Sequence, residues 1–195
     1  MSHRRCVVIR LTRAVVCFAL ILVLSGRGRA APRVYSNSEF GVRLQIPSEA
    51  SLCPTAKTEH DHGFGILIGS GSTKDCHEDT RHRSIWLFAF YNALDDTKHL
   101  PNLLRMGCDA AGGPCQPSPV DLRVPGLSSA TASVNLDNWT VIIVATQAGP
   151  PNAFDPSQPS VNYLFSLRTT PEYMDRDVGV FRKVLQTVQL SRARK

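Results

Sequence analysis

Val161-Asn162-Tyr163-Leu164-Phe165-Ser166-Leu167-Arg168, followed by Val178, Phe181, Leu185 and Val188, is the stretch that decides the fold. In its first part, Val161, Tyr163, Phe165 and Leu167 alternate onto one face, the period of a β-strand. In its second part, apolar residues recur at intervals of three and four, the stripe of an amphipathic helix whose other side carries Arg182, Lys183 and Gln186. Thr170 or Asp175 offers the N-cap. A strand running into a one-striped helix buries most apolar surface when the helix lies on the sheet, which predicts an α+β layered sandwich.

Working outward, Phe40, Val42, Leu44 and Ile46 alternate with Gly41, Arg43 and Gln45 and stop at Pro47, a strand with one wet face. Phe64 to Gly69 reads as a short strand punctuated by glycines. Ile85 to Tyr91 and Val141 to Ala145 are apolar on both alternating faces, so both should be covered on two sides. Ala130 to Leu136 completes an antiparallel-rich sheet of about six strands. Leu100, Leu103 and Leu104 predict a short helix after Thr97, ending near Gly107, with Pro101 tolerated in the first turn.

The chain opens with Arg4, Arg5, Arg10 and Arg13 and no acid, then eleven apolar residues from Ala14 to Leu24. As a helix that run rises only about 16 Å, half of a bilayer's hydrocarbon thickness, so it reads as an address and not as a stable membrane span. Gly28 and Ala30 are the small residues a signal peptidase requires. Residues 1–30 are therefore expected to be a signal peptide, with 31–195 a single exported domain, secreted or periplasmic. Arg27 stands where a lipidated cysteine would have to be, which excludes a lipoprotein anchor there. Residues 1–30 also hold six of the 22 Lys/Arg and none of the 16 Asp/Glu, leaving 16 of each sign beyond them. A neutral domain lacks the basic face that nucleic acid requires.

Four cysteines lie beyond the leader: Cys53, Cys76, Cys108 and Cys115. An even number in an exported chain reads as two disulfides. Three connectivities are open. The turn-forming Asp-Ala-Ala-Gly-Gly-Pro between Cys108 and Cys115 favours that pair, leaving Cys53 with Cys76. No Cys-x-x-Cys occurs to hold zinc through thiolates.

Two terminal segments resemble the Mog1/PsbP-like fold family. Tyr35-Ser36-Asn37-Ser38-Glu39-Phe40-Gly41-Val42-Arg43-Leu44-Gln45-Ile46-Pro47 is similar to that family's opening strand. Tyr163 to Leu167, Thr170-Pro171-Glu172-Tyr173 and Phe181 to Val188 are similar to its ending. They are matched in hydrophobic pattern more than in chemistry. The resemblance implies an α/β/α sandwich and a mostly non-catalytic binding or accessory role. It carries over no catalytic residue.

Candidate chemistry is sparse. His60-Asp61-His62 projects two imidazoles to one side of an extended segment, and His77 follows Cys76, so a Cys53–Cys76 bridge would bring three zinc or copper ligands together. A charge-rich polar loop explains the same residues. Gly63, Gly65 and Gly69 fail the dinucleotide fingerprint, and Ser70 fails the nucleophile elbow, both because Ile68 stands where a glycine is needed. Asp95, Asp96 and Asp109 read as capping residues and not as an acid/base pair. Pro150, Pro151, Pro156 and Pro159 around a lone Phe154 make a stiff loop between two strands, which reads as a long hairpin connection or, alternatively, as a binding element with Phe154 as its candidate partner-binding residue. The chain thus reads as an exported non-enzymatic module binding a protein or cell-envelope component, without a cofactor. The alternative is a metal-binding protein or metalloenzyme using His60, His62 and His77.

Overall fold

A computed structural model describes residues 33–53, 63–69, 76, 82–92, 99–152, 157 and 159–190, all within the compact unit Pro32–Lys195. In chain order the strands are β1 (Arg33–Asn37), β2 (Val42–Ile46), β3 (Ala50–Cys53), β4 (Gly63–Ile68) and β5 (Ser84–Tyr91). Helix α1 (Leu100–Ala111) follows, then β6 (Gln116–Pro117), β7 (Ser129–Leu136), β8 (Trp139–Pro151) and β9 (Pro159–Thr169). A 3-10 turn (Pro171–Tyr173) leads into helix α2 (Met174–Gln186) and β10 (Gln189–Leu190). The α+β class is as expected. The strands number ten among the described residues, against about six expected, because β1, β3, β6 and β10 are short pieces with little periodicity of their own.

All pairings are antiparallel. Seven strands form one sheet in the order β3-β4-β5-β9-β8-β7-β6, and β1-β2-β10 form a small second sheet. The strand from which the sequence reading began, β9, is central. One face of the large sheet carries Phe64, Ile66, Ile85, Leu87, Tyr163, Phe165 and Leu167 and packs against Phe40, Val42, Leu44 and Ile46 of the small-sheet side. The same core takes Val178, Phe181, Val184 and Leu185 of α2. Tyr163 reaches across it, its fully buried hydroxyl donating to the Phe40 carbonyl. The opposite face is partly covered by α1, whose Leu103 and Cys108 pack on Ala132, Val134, Val141, Ile143 and Ala145.

Both helices depart in detail from expectation. Helix α1 does not stop near Gly107 but runs to Ala111, because Gly107 faces the sheet: a Cβ there would sit 3.0 Å from Ile143 and 3.2 Å from Leu164. The stop is Gly112, left-handed at φ 97°, with Gly112 N–H and Gly113 N–H donating to the Asp109 and Cys108 carbonyls in a Schellman closure. Asp109 is therefore an exposed residue of the last turn and caps nothing with its side chain; Asp95 and Asp96 lie outside the described residues. Helix α2 takes Tyr173 as N-cap without a side-chain bond, so neither Thr170 nor Asp175 caps it. Pro171 opens a 3-10 turn first, which displaces Thr170 from the helix. Val188 lies past the helix end but still packs on the core.

The sheet itself extends into the proline-rich stretch. After a register shift between Ala148 and Pro151, Pro151 pairs with Pro159, so the connection shortens to residues 152–158. Prolines are tolerated at strand starts and bulges, which is where these fall. The base of this hairpin is braced by buried amides: Gln147 donates to Asn162 at 2.8 Å, and Asn162 to the Asn92 side chain at 3.3 Å. Asn92 donates to the Pro159 carbonyl at 3.1 Å, and Asn152 to that of Asn92.

Both expected disulfides are formed, Cys53–Cys76 and Cys108–Cys115, each with Cα atoms 5.4 Å apart. The first packs on Leu67, on the same face as α1. The second ties the buried Cys108, in the last turn of α1, to the segment entering β6.

Candidate functional site

The face of the large sheet that carries α1 is open in its middle. Alternation sends Ile85, Leu87 and Ala89 of β5 into the main core and leaves Trp86, Phe88 and Phe90 on the other side. That side is not covered as expected from an all-apolar strand: Phe88 is 54% exposed, and Trp86 and Phe90 are only partly buried. Helix α1 lies over β7 and β8, and the Cys53–Cys76 bridge lies over β4. Between them, among the described residues, no element lies over Phe88, and Trp86, Ser166 and Arg168 stay only partly buried.

Register sets the side chains there. Trp86 stands opposite Gly65 of β4 and Ser166 of β9, and Phe88 opposite Gly63 and Leu164. Gly65 lets the indole lie flat across β4, since a Cβ at that position would be 2.7 Å from Trp86 Cη2 and Cζ3. Trp86 Nε1–H donates to Ser84 Oγ at 3.0 Å, which fixes the ring's direction. On the far side Gly107, Ala110 and Ala111 give α1 a small-residue flank. The result is a groove of about 390 Å³, floored by Leu164, Ser166 and Ile143, walled by Trp86 and Phe88, with Arg168 lining it as well.

Arg168 is the groove's charged group. It lies opposite Val141 of β8, with its guanidinium carbon 4.6 Å from the ring centroid of Trp139. A cation over an indole face is held in orientation without being neutralised. Arg168 Nε is buried and makes no hydrogen bond, and no carboxylate among the described residues pairs with the side chain.

A second arginine nearby has the opposite character. Arg83 Nη1 meets Asp177 Oδ1 at 3.0 Å, while Thr169 Oγ1 donates to Asp177 Oδ2 at 2.7 Å. Arg83 also stacks on the Tyr173 ring at 3.8 Å. Asp177 is fully buried, so this satisfied cluster pins the first turn of α2 to the sheet. It braces the fold.

His60, His62, His77 and Phe154 lie outside the described residues. Among the described residues no group of three His, Cys, Asp or Glu side chains is placed to hold a metal ion, and no helix is long and apolar enough to cross a membrane. The residues that build the groove were overlooked in sequence because Trp86, Phe88 and Arg168 each sit in a strand explained by core alternation alone. The available signal was an aromatic triple, Trp86, Phe88 and Phe90, on one parity of β5, facing an arginine on the wet parity of β9.

No family model matches the chain, and no curated protein matches it. Among solved structures it is similar to the solution structure of cyanobacterial PsbP (CyanoP) from Synechocystis sp. PCC 6803, at 12% identity and a TM-score of 0.40. The match covers 85% of this chain and 96% of that one.

Proposed function

We propose that the chain is an exported, non-enzymatic binding module for a protein or cell-envelope component, and that its ligand surface is the groove between α1 and the β5–β9 pair. One observation carries the reading. In the middle of a seven-stranded sheet Phe88 stands open to solvent and Trp86 is only partly buried, while both flanks are covered. An exposed apolar surface of this kind is retained at a cost in solubility and marks a ligand site. The two disulfides support export, since such bonds persist in oxidising compartments. They also stiffen the covers on both sides of the groove.

The test is titration of the purified protein with the uncharged apolar dye N-phenylnaphthylamine. The expected result is saturable enhancement of dye fluorescence at one equivalent, weakened about tenfold or more by Phe88→Glu, with thermal unfolding unchanged. Dye uptake that Phe88→Glu leaves intact overturns the groove as the site. Phe154→Ala in the same titration tests the residue expected from sequence to bind the partner. The metal-binding alternative is tested by metal content: one equivalent of zinc or copper, released by replacing His60 and His62 with alanine, would replace this reading.

A further inference from the structure

The polarity of the groove runs in one direction, and that direction identifies its ligand. Along β9 the residues facing the groove are Leu164, Ser166 and Arg168, in that order. At Leu164 the cross-strand neighbours are Phe88 and Ala145. At Ser166 they are Trp86 and Ile143, and at Arg168 the groove acquires a positive charge. The four residue steps from Leu164 to Arg168 span about 13 Å, the reach of an extended chain of roughly ten carbons.

A peptide is a poor match. It would bring an amide to every residue, each needing a partner. Strands β5 and β9 are interior strands, whose backbone groups face ladder neighbours on both sides, so the floor has no free edge to add a strand to. A ligand with one polar end and a hydrocarbon body leaves nothing unpaired. The sign of that end is set by Arg168, which has no carboxylate partner among the described residues and no hydrogen bond at Nε. The planar guanidinium, steadied over Trp139, presents a forked set of N–H donors, the geometry that suits a carboxylate.

We infer, building on the groove reading above, that the natural ligand is a medium-chain monocarboxylate, its hydrocarbon tail over Leu164 and Phe88 and its carboxylate at Arg168. The experiment is competition against bound N-phenylnaphthylamine by decanoate and by decanol, each below its aggregation limit, at pH 7.5. Decanoate is expected to displace the dye at a concentration about tenfold lower than decanol. Arg168→Gln should remove that advantage while leaving decanol displacement unchanged. Equal displacement by the two compounds in the native protein overturns the carboxylate assignment and leaves the apolar groove standing. Failure of both to displace a dye that is bound overturns the assignment together with the placement of the dye. The comparison of the two compounds needs no variant, so the inference stays testable even where Arg168→Gln fails to fold.

Discussion

Asp177→Ala should be among the most damaging single substitutions in this chain. The carboxylate is fully buried and satisfies Arg83, whose side chain is 16% exposed, together with the Thr169 hydroxyl. Removing it leaves a largely buried guanidinium without its counter-charge, holding only the Ile68 carbonyl at 3.4 Å, which costs about 3 to 5 kcal/mol, and leaves the Thr169 hydroxyl with only the long 3.4 Å bond to the Thr170 carbonyl, about 1 kcal/mol more. Arg83 keeps its stacking on Tyr173 and a sliver of solvent, which places the total near the lower figure, about 4 kcal/mol. With a urea slope of about 2 kcal/mol/M, the unfolding midpoint should fall by about 2 M, a large share of a typical total of about 5 to 15 kcal/mol. The double replacement Arg83→Met with Asp177→Leu removes both charges together and should recover most of the loss. Urea denaturation followed by circular dichroism reads both. A midpoint for Asp177→Ala within roughly 0.5 M of the native protein, on the same slope, would refute the view that this pair braces α2.

Three further outcomes follow from the packing. Replacing Cys108 and Cys115 with serine opens a loop of seven residues' separation and should cost about 2.4 kcal/mol by the chain-entropy estimate, while denaturing alkylation of the native protein should find none of the four mature cysteines free. Gly107→Val should cost more than about 2 kcal/mol, because its side chain meets Ile143 and Leu164 where α1 lies closest to the sheet; a small change in thermal midpoint would show that the helix gives way easily. Burial pushes the Tyr163 phenol well above its ordinary range, so the fold favours the neutral form. The unfolded chain ionises near pH 10, so stability is complete below that value and declines as pH rises through it, a loss that Tyr163→Phe should abolish in denaturation series taken at about pH 9 and pH 11.

Much of the architecture was legible because alternation is a faithful signal where one face is buried. Val161, Tyr163, Phe165 and Leu167 point inward as their spacing required, and the stripe of Val178, Phe181 and Leu185 is the buried side of α2. The cysteine pairing followed from loop composition and elimination. The same reasoning failed for β5. An apolar residue on both parities signals cover on both faces, yet here the second face of β5 is left partly open, with Phe88 54% exposed. Sequence spacing does not distinguish a covered aromatic from a displayed one, since the difference lies in where a distant helix and disulfide end. Gly65 and Gly107 were read as punctuation for a related reason: their role is to make room for Trp86 and for the approach of α1 to the sheet, contacts set by tertiary register.

The central claim is that the groove between α1 and the β5–β9 pair is where a ligand binds, and the chain carries a direct reporter of it. Its two tryptophans, Trp86 and Trp139, stand respectively in the groove wall and beneath Arg168. Nitrogen-15 spectra of the two indole N–H groups, recorded while decanoate is added, place the ligand without any substitution. Both indole resonances are predicted to move together and to saturate at one equivalent. Binding that saturates while both indole resonances stay fixed would contradict the account.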